Sequence, residues 1–479
     1  MHSPFRNPLA LRPMLSRSLL ALSAVLTTTT SAQPQKSSPR TFPPDSVVAA
    51  IIRQRVEEKR SAGIVVGMID ASGKTRILSY GDPGPGQPPL DGNSVFEIGS
   101  ISKVFTSTVL AQMVLEHKVS LDDPVQKFLP ATVRVPSRNG KQITLGTLST
   151  QNSGLPRLPN NMRPKDASNP YADYTVQQLY DFLSSYELPR DPGERFEYSN
   201  LGVGLLGHAL SLAAGKSYEE MVRERIFVPL GMTHSAITLS PWMQSHLALG
   251  HDAQGKVVPL WDLPTLAGAG AIRSNADDML KFVAANLHTE RGAMGKALAL
   301  AHQERASTGG PTAGIGLNWI VQHAGADTII WHNGGTGGYR TFVGFELSTG
   351  MGVVILTNSG NAGADDIGMH LLDPDLPLTP KPTPPKQRTA IELPESTLDR
   401  YVGSYELAPQ FSIEVTRKGA ALFAQATGQG AFQLWPESEA EFFLKEIDAQ
   451  VSFVRDAQGT VTGLVLHQGG GNSPGKKVR

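Results

Sequence analysis

Gly99-Ser100-Ile101-Ser102-Lys103 stands where a short apolar stretch, Val95–Ile98, gives way to a helix expected from about Ser100 to Glu116. Residues three apart share one face of a helix, so the Lys103 amine can reach the Ser100 hydroxyl. The helix N-terminus adds a positive field and free backbone N–H groups, which favour a developing alkoxide and loss of the lysine proton. A desolvated lysine can then accept the serine proton, one of the ways a hydroxyl becomes a nucleophile. The pattern S-x-x-K is weak by itself, and an ordinary helix N-cap with a solvated lysine satisfies it equally. It recurs at Ser473-Pro474-Gly475-Lys476, inside Gly471-Asn472-Ser473-Pro474-Gly475, a G-x-S-x-G string. A nucleophile elbow needs a strand before the serine and a helix after it. Four residues follow Gly475, too few for that helix, so 471–479 reads as a disordered tail.

Two further elements give the Ser100–Lys103 pair partners. Tyr198-Ser199-Asn200 opens a strong helix, Leu201–Ala214, which ends at Gly215 in the position of a C′ glycine. A tyrosine beside a lysine can transfer protons, the cation lowering its pKa, and an asparagine can bind a substrate amide or ester. The same residues are compatible with a capped helix and a packed ring. The third element is Trp331-His332-Asn333-Gly334-Gly335-Thr336-Gly337-Gly338-Tyr339, where a strand, Thr328–His332, runs into glycines. Glycines let an extended substrate approach the backbone closely, and His332 offers a donor that titrates near neutral pH. A glycine-rich hairpin turn has the same composition.

Taken in order, the three elements resemble the serine β-lactamase and penicillin-binding-protein superfamily, specifically its class C branch. That branch includes D,D-carboxypeptidases, D-aminopeptidases and family VIII carboxylesterases. Tyr-Ser-Asn in place of Ser-Asp-Asn marks the class C side. Asn152-Ser153-Gly154-Leu155-Pro156 and Gly268-Ala269-Gly270-Ala271-Ile272-Arg273-Ser274 are similar to further strings of the family, and the likeness spans roughly residues 45–360. The resemblance implies an α+β fold, an antiparallel sheet packed with a helical subdomain. It implies Ser100 as acylated nucleophile, Lys103 as its activating partner, Tyr198 as the second proton-transfer group and Asn200 as a ligand of the substrate amide. His332 matches the first position of the third box and Gly334 its fixed glycine. The backbone N–H groups of Ser100 and Gly335 would form the oxyanion hole. Many β-lactamases carry Lys-Thr-Gly in that box, where the lysine faces the substrate carboxylate. His332-Asn333-Gly334 offers a weaker anion partner when the imidazole is neutral. The leading expectation is therefore a serine hydrolase acting on β-lactam amides or related D-Ala peptides through an acyl-enzyme. A family VIII-type carboxylesterase and a non-hydrolytic penicillin-binding sensor are the alternatives.

Composition supports and bounds this reading. The chain has 479 residues, 43 Lys+Arg against 43 Asp+Glu, and no cysteine. Zero net charge argues against a nucleic-acid partner, and the lack of thiols removes disulfides, thiolate metal sites and a cysteine nucleophile. The 12 histidines include no H-E-x-x-H or similar pair, so neither metal nor cofactor is expected. Arg6, Arg12 and Arg17, the apolar run Leu19–Leu26 and Thr30-Ser31-Ala32 read as a signal peptide over 1–32. The run is shorter than the roughly 20 residues a bilayer requires. An exported monomer, periplasmic or secreted and without a stable membrane anchor, is the expectation, its partner a small acyl substrate. Beyond a linker at 33–44, the hydrolase domain is expected over 45–373, beginning with a helix, Ser46–Lys59, capped by Asp45. Seven prolines mark a linker over 374–396. Short alternating strands over 397–470 predict a small antiparallel β-barrel that resembles the lipocalin-like domain some members of the family append.

Overall fold

The computed structural model describes residues 40–478, apart from 326, 362, 382–387, 409–410, 428–430, 446–447 and 469–470. The expected signal peptide and most of the 33–44 linker lie outside the described residues. The chain divides into two compact units, residues 1–379 and 380–479. Among the described residues no helix is long and apolar enough to cross a membrane.

The first unit is α+β. Its sheet has eight strands: β1 (Gly63–Ile69), β2 (Thr75–Gly81), β3 (Ala306–Ser307), β4 (Ala313–Ile315), β5 (Ile320–Ala324), β6 (Asp327–Gly335), β7 (Arg340–Glu346) and β8 (Met351–Thr357). Their order is β2-β1-β8-β7-β6-β5-β4-β3, and every neighbouring pair is antiparallel. The central strands are apolar without interruption because helices cover both faces. Ile64, Val66 and Met68 of β1 pack with Val353 and Ile355 of β8 against α1 (Asp45–Glu57) and α5 (Asp365–Leu372). Val65 and Ile69, with Val354 and Leu356, face the larger core on the other side, beneath α4 (Ala276–Leu287) and the helical region. A buried ion pair, Arg55–Asp366 at 2.6 Å, ties α1 to α5. The expected cap of α1 is displaced by one residue: Pro44 occupies the N-cap, and Asp45 starts the helix and pairs with Arg76.

Central to the helical region is α2 (Ser102–Leu115), buried on nearly every side. It starts two residues later than the sequence suggests, because Gly99–Ile101 form a 3-10 turn first. Helix α3 (Asn200–Ala214) follows its predicted bounds closely, with Ser199 as N-cap and Gly215 in the left-handed conformation at φ 65°.

The second unit is a closed barrel of eight strands running in chain order: β9 (Gly403–Ala408), β10 (Phe411–Lys418), β11 (Ala421–Ala426), β12 (Ala431–Pro436), β13 (Glu441–Phe443), β14 (Ala449–Arg455), β15 (Val461–Gln468) and β16 (Gly471–Lys477). Side chains such as Tyr401, Tyr405, Phe442 and Phe453 fill its interior, as eight strands allow. The last strand corrects the expectation of a disordered tail. Ser473 pairs with Leu466, Pro474 with Val465 and Lys477 with Tyr405, so β16 joins β15 to β9 and closes the barrel. Its Gly/Pro-rich composition argues against a strand locally. Two open edges with unpaired N–H and C=O groups override that local preference. Ser473 is exposed on this strand, and no elbow exists there.

Candidate active site

The site forms where three separate segments meet the Gly99–Ile101 turn. Phe96-Glu97 pairs with Arg273-Ser274, and Ile98 N–H donates to Ile272 O at 3.1 Å. On the other side Thr341 of β7 donates its hydroxyl to Ile98 O at 2.9 Å. The end of β6 then packs directly on the turn. A Cβ on Gly334 would sit 2.0 Å from Ile98 O, and one on Gly99 (φ +52°) 2.7 Å from Gly335 N. Both glycines are required by this approach, which brings the Gly335 backbone beside the Ser100 turn. Ser100 stands at the start of that turn, where N–H groups lack intrahelical acceptors.

Lys103 is completely buried at the floor. Its Nζ lies 3.0 Å from Ser100 Oγ, 2.9 Å from Asn200 Oδ1 and 2.7 Å from the carbonyl of Ala269. Burial holds its pKa well below the usual lysine range, and the Arg157 charge pushes it lower still. A neutral amine has two N–H donors and one lone pair. Two of the neighbours, Asn200 Oδ1 and Ala269 O, can only accept, which leaves the lone pair for the Ser100 hydroxyl.

Tyr198 is half-buried, its ring 4.9 Å from Lys103 Nζ and 5.2 Å from the Arg157 guanidinium carbon. Its pKa is pushed up to about 12 by burial, with a hydrogen bond to Ser100 and the Arg157 charge opposing only in part. This reverses the expectation from sequence that a neighbouring cation lowers it. The same burial that desolvates the phenol also lowers the Lys103 pKa, and on Tyr198 desolvation outweighs the neighbouring charge.

Asn200 is held on both sides: its Oδ1 takes a hydrogen from Lys103 and its Nδ2 donates to Tyr171 Oη at 3.0 Å. His332 takes a different place from the one expected. It is only 3 % exposed, lies behind Tyr198 with ring centroids 6.2 Å apart, and is absent from the cleft wall. Its Nδ1 donates to Asn333 O at 2.6 Å. Burial, reinforced by Lys103, lowers its pKa to about 3, so the imidazole is neutral.

An open cleft of about 560 Å³ lies over Ser100. Ser100, Tyr198, Asn200, Gly334 and Gly335 line it, so the structure gathers these five of the sequence candidates on its wall, with Lys103 beneath. The wall also contains Arg157, Tyr171, Trp261 and Arg340, which sequence reasoning missed. Arg157 directly follows the Asn152–Pro156 string, and Arg340 directly follows the glycine-rich third element, so proximity was the available signal. Tyr171 and Trp261 come from loops with no local pattern; their rings pack 5.5 Å apart. Trp261 is fixed through its backbone, its amide N–H donating to Glu97 at 2.7 Å and its carbonyl accepting from Arg273 at 2.6 Å.

The two supporting strings act as clamps. Gln151 accepts from Ser199 N–H at 2.7 Å and donates to Asn318 at 2.8 Å, while Ser199 Oγ donates to Pro156 O at 2.6 Å. Arg157 O accepts from the N–H groups of Asn200 and Leu201. Residues 151–157 thus orient Tyr198 and Asn200. The 268–274 string supplies the Ala269 carbonyl to Lys103 and the Arg273 support of Trp261.

Comparison with known proteins agrees with this geometry. A family model described as beta-lactamase matches residues 48–374, and one described as a domain of unknown function matches 387–473. The chain is 31% identical over 319 residues to the D-alanyl-D-alanine-carboxypeptidase/endopeptidase AmpH of Escherichia coli K12, covering 62% of this chain and 80% of that protein. A beta-lactamase of Pseudomonas fluorescens is 26% identical over 353 residues, covering 67% and 95%. A crystal structure titled beta-lactamase/D-alanine carboxypeptidase from Pseudomonas syringae superposes with a TM-score of 0.60 at 22% identity, over 70% of this chain and 99% of that one.

Proposed function

From the premise that this chain belongs to the beta-lactamase family and is a serine hydrolase, we propose that it cleaves β-lactam amides or D-Ala peptides through an acyl-enzyme on Ser100. The observation that carries the reading is the Lys103 amine, buried, depressed in pKa and 3.0 Å from Ser100 Oγ. The pKa of Lys103 is pushed down and that of Tyr198 up, which supports the amine as base and the phenol as acid.

The Ser100 hydroxyl proton passes to Lys103 as Oγ adds to the carbonyl carbon. The oxyanion forms facing the backbone N–H groups of Ser100 and Gly335, an arrangement worth about 3 kcal/mol per donor. As the C–N bond breaks, Tyr198 gives its proton to the departing nitrogen and regains one from the Lys103 ammonium. Water then adds to the ester carbonyl by the reverse route, and Ser100 recovers its proton. Asn200 acts on the substrate amide and also keeps Lys103 in line, since its oxygen already accepts from the amine.

Ester hydrolysis is the second reading, and His332 favours it. A neutral, buried imidazole gives no positive charge to a substrate carboxylate from the third box. A sensor that stays acylated is less well supported, because Tyr198 stands beside Lys103 and Ser100. Export to the periplasm is part of the proposal, supported by the basic and apolar segments of residues 1–32.

Turnover of nitrocefin, p-nitrophenyl butyrate and a D-Ala-D-Ala peptide, with and without Ser100→Ala, tests the mechanism. Whichever substrate is cleaved, the variant should lose at least about 10⁴-fold in kcat, and the unsubstituted protein should show an acyl adduct on Ser100 by mass spectrometry. Full activity in Ser100→Ala would refute it. A stoichiometric adduct with no turnover would replace the hydrolase reading with the sensor.

A further inference from the structure

The cleft over Ser100 is electropositive in a chain whose net charge is zero. Two arginines, Arg157 and Arg340, stand on its wall, and among the described residues no carboxylate does. Arg340 is already engaged. Its Nη1 donates to the carbonyls of Thr336 at 2.7 Å and Tyr339 at 2.8 Å, which fastens the hairpin, and the Asp365 charge acts on it.

Arg157 differs. Its carbonyl is pinned to the start of α3 by the Asn200 and Leu201 N–H groups, yet its exposed guanidinium makes no ion pair or hydrogen bond among the described residues. It sits 5.2 Å over the Tyr198 ring, at the mouth of the cleft. A guanidinium carries five donors in a planar fork that matches a carboxylate, and a stacked aromatic face limits its freedom. His332, buried next to Tyr198 and absent from the lining, adds no charge to the wall.

We infer that Arg157 is the specificity residue that binds a free carboxylate on the substrate. The inference rests on the acyl-enzyme reading for the meaning of "substrate", but its test does not depend on turnover. In Ser100→Ala protein, benzylpenicillin and its methyl ester are titrated as non-covalent ligands. The free acid should bind at least about tenfold more tightly than the ester, the range of one charge-assisted hydrogen-bonded pair. Adding Arg157→Gln should bring the ratio to within about twofold of one, and Arg157→Lys should keep an intermediate preference because it retains charge without the fork. Raising the salt should weaken the acid and spare the ester.

A preference that survives Arg157→Gln, or one that collapses in Arg340→Gln instead, would overturn the assignment. So would equal binding of acid and ester in the Ser100→Ala parent. Failure of the acyl-enzyme reading shows separately, as no Ser100 adduct when the unsubstituted protein meets the same penicillin.

Discussion

Burial acts on Lys103 and Tyr198 with one physical cause and opposite chemical results. Removing water disfavours whichever form is charged, so the lysine gives up its proton more readily and the tyrosine holds its own more tightly. On a neutral ester, kcat/KM should therefore rise with pH as Lys103 is deprotonated and fall only as Tyr198 ionises, towards about 12. Arg157 lowers both pKa values through its charge. Without that cation the ammonium is less disfavoured, so Lys103 must reach higher pH before it is neutral. Arg157→Gln should accordingly move the acid limb of the p-nitrophenyl butyrate profile to higher pH. An unchanged limb, read from kcat/KM across the pH range, would show that the Lys103 proton is not what the limb reports.

At the scale of elements, the Gly99–Ile101 turn is the joint on which the site depends. It needs a left-handed residue at 99 and bare backbone at 334 so that β6 can lie against it. Gly99→Ala places a Cβ against Gly335 N and forces a side chain into φ +52°, at a conformational cost of about 1–2 kcal/mol. The more sensitive readout is catalysis. Displacing Gly335 from Ser100 removes one donor from the oxyanion, so kcat should drop by about 10²–10³ while circular dichroism stays native. Equal kcat in Gly99→Ala would mean that Gly335 is not part of the hole. The Gln151 clamp has a similar logic, since its amide satisfies Ser199 N–H and Asn318 in the interior.

Across the whole molecule the two units have separate interiors. The hydrophobic cluster of the barrel shares no residue with the two clusters that sandwich the main sheet. Deleting 471–479 removes β16 and leaves β9 and β15 as open edges. Calorimetry should show loss or a strong lowering of the barrel transition, with the transition of the first unit little changed and Ser100-dependent hydrolysis retained. A single transition shifted as a whole would show that the two units unfold together. The barrel was legible from sequence because alternating strands and a proline-rich break report burial directly, whereas the α+β sheet with its helical region followed from the resemblance of the three motifs.

What the sequence by itself determined is the chemistry available: a serine with a lysine three residues on, a Tyr-Ser-Asn helix start, a glycine-rich strand end, and no thiol to compete. These depend on residue type and short spacing, which the chain carries locally. Only the tertiary structure decided which side chains are dry and which are wet. Solvation sets charge, and neighbours distant in sequence set solvation. It turned His332 into a buried neutral ring, pushed the pKa of Lys103 down and that of Tyr198 up, and left the guanidinium of Arg157 without an ion pair among the described residues on the cleft wall. It also made a strand of the Gly/Pro-rich end, because only a closed barrel gives those backbone groups partners.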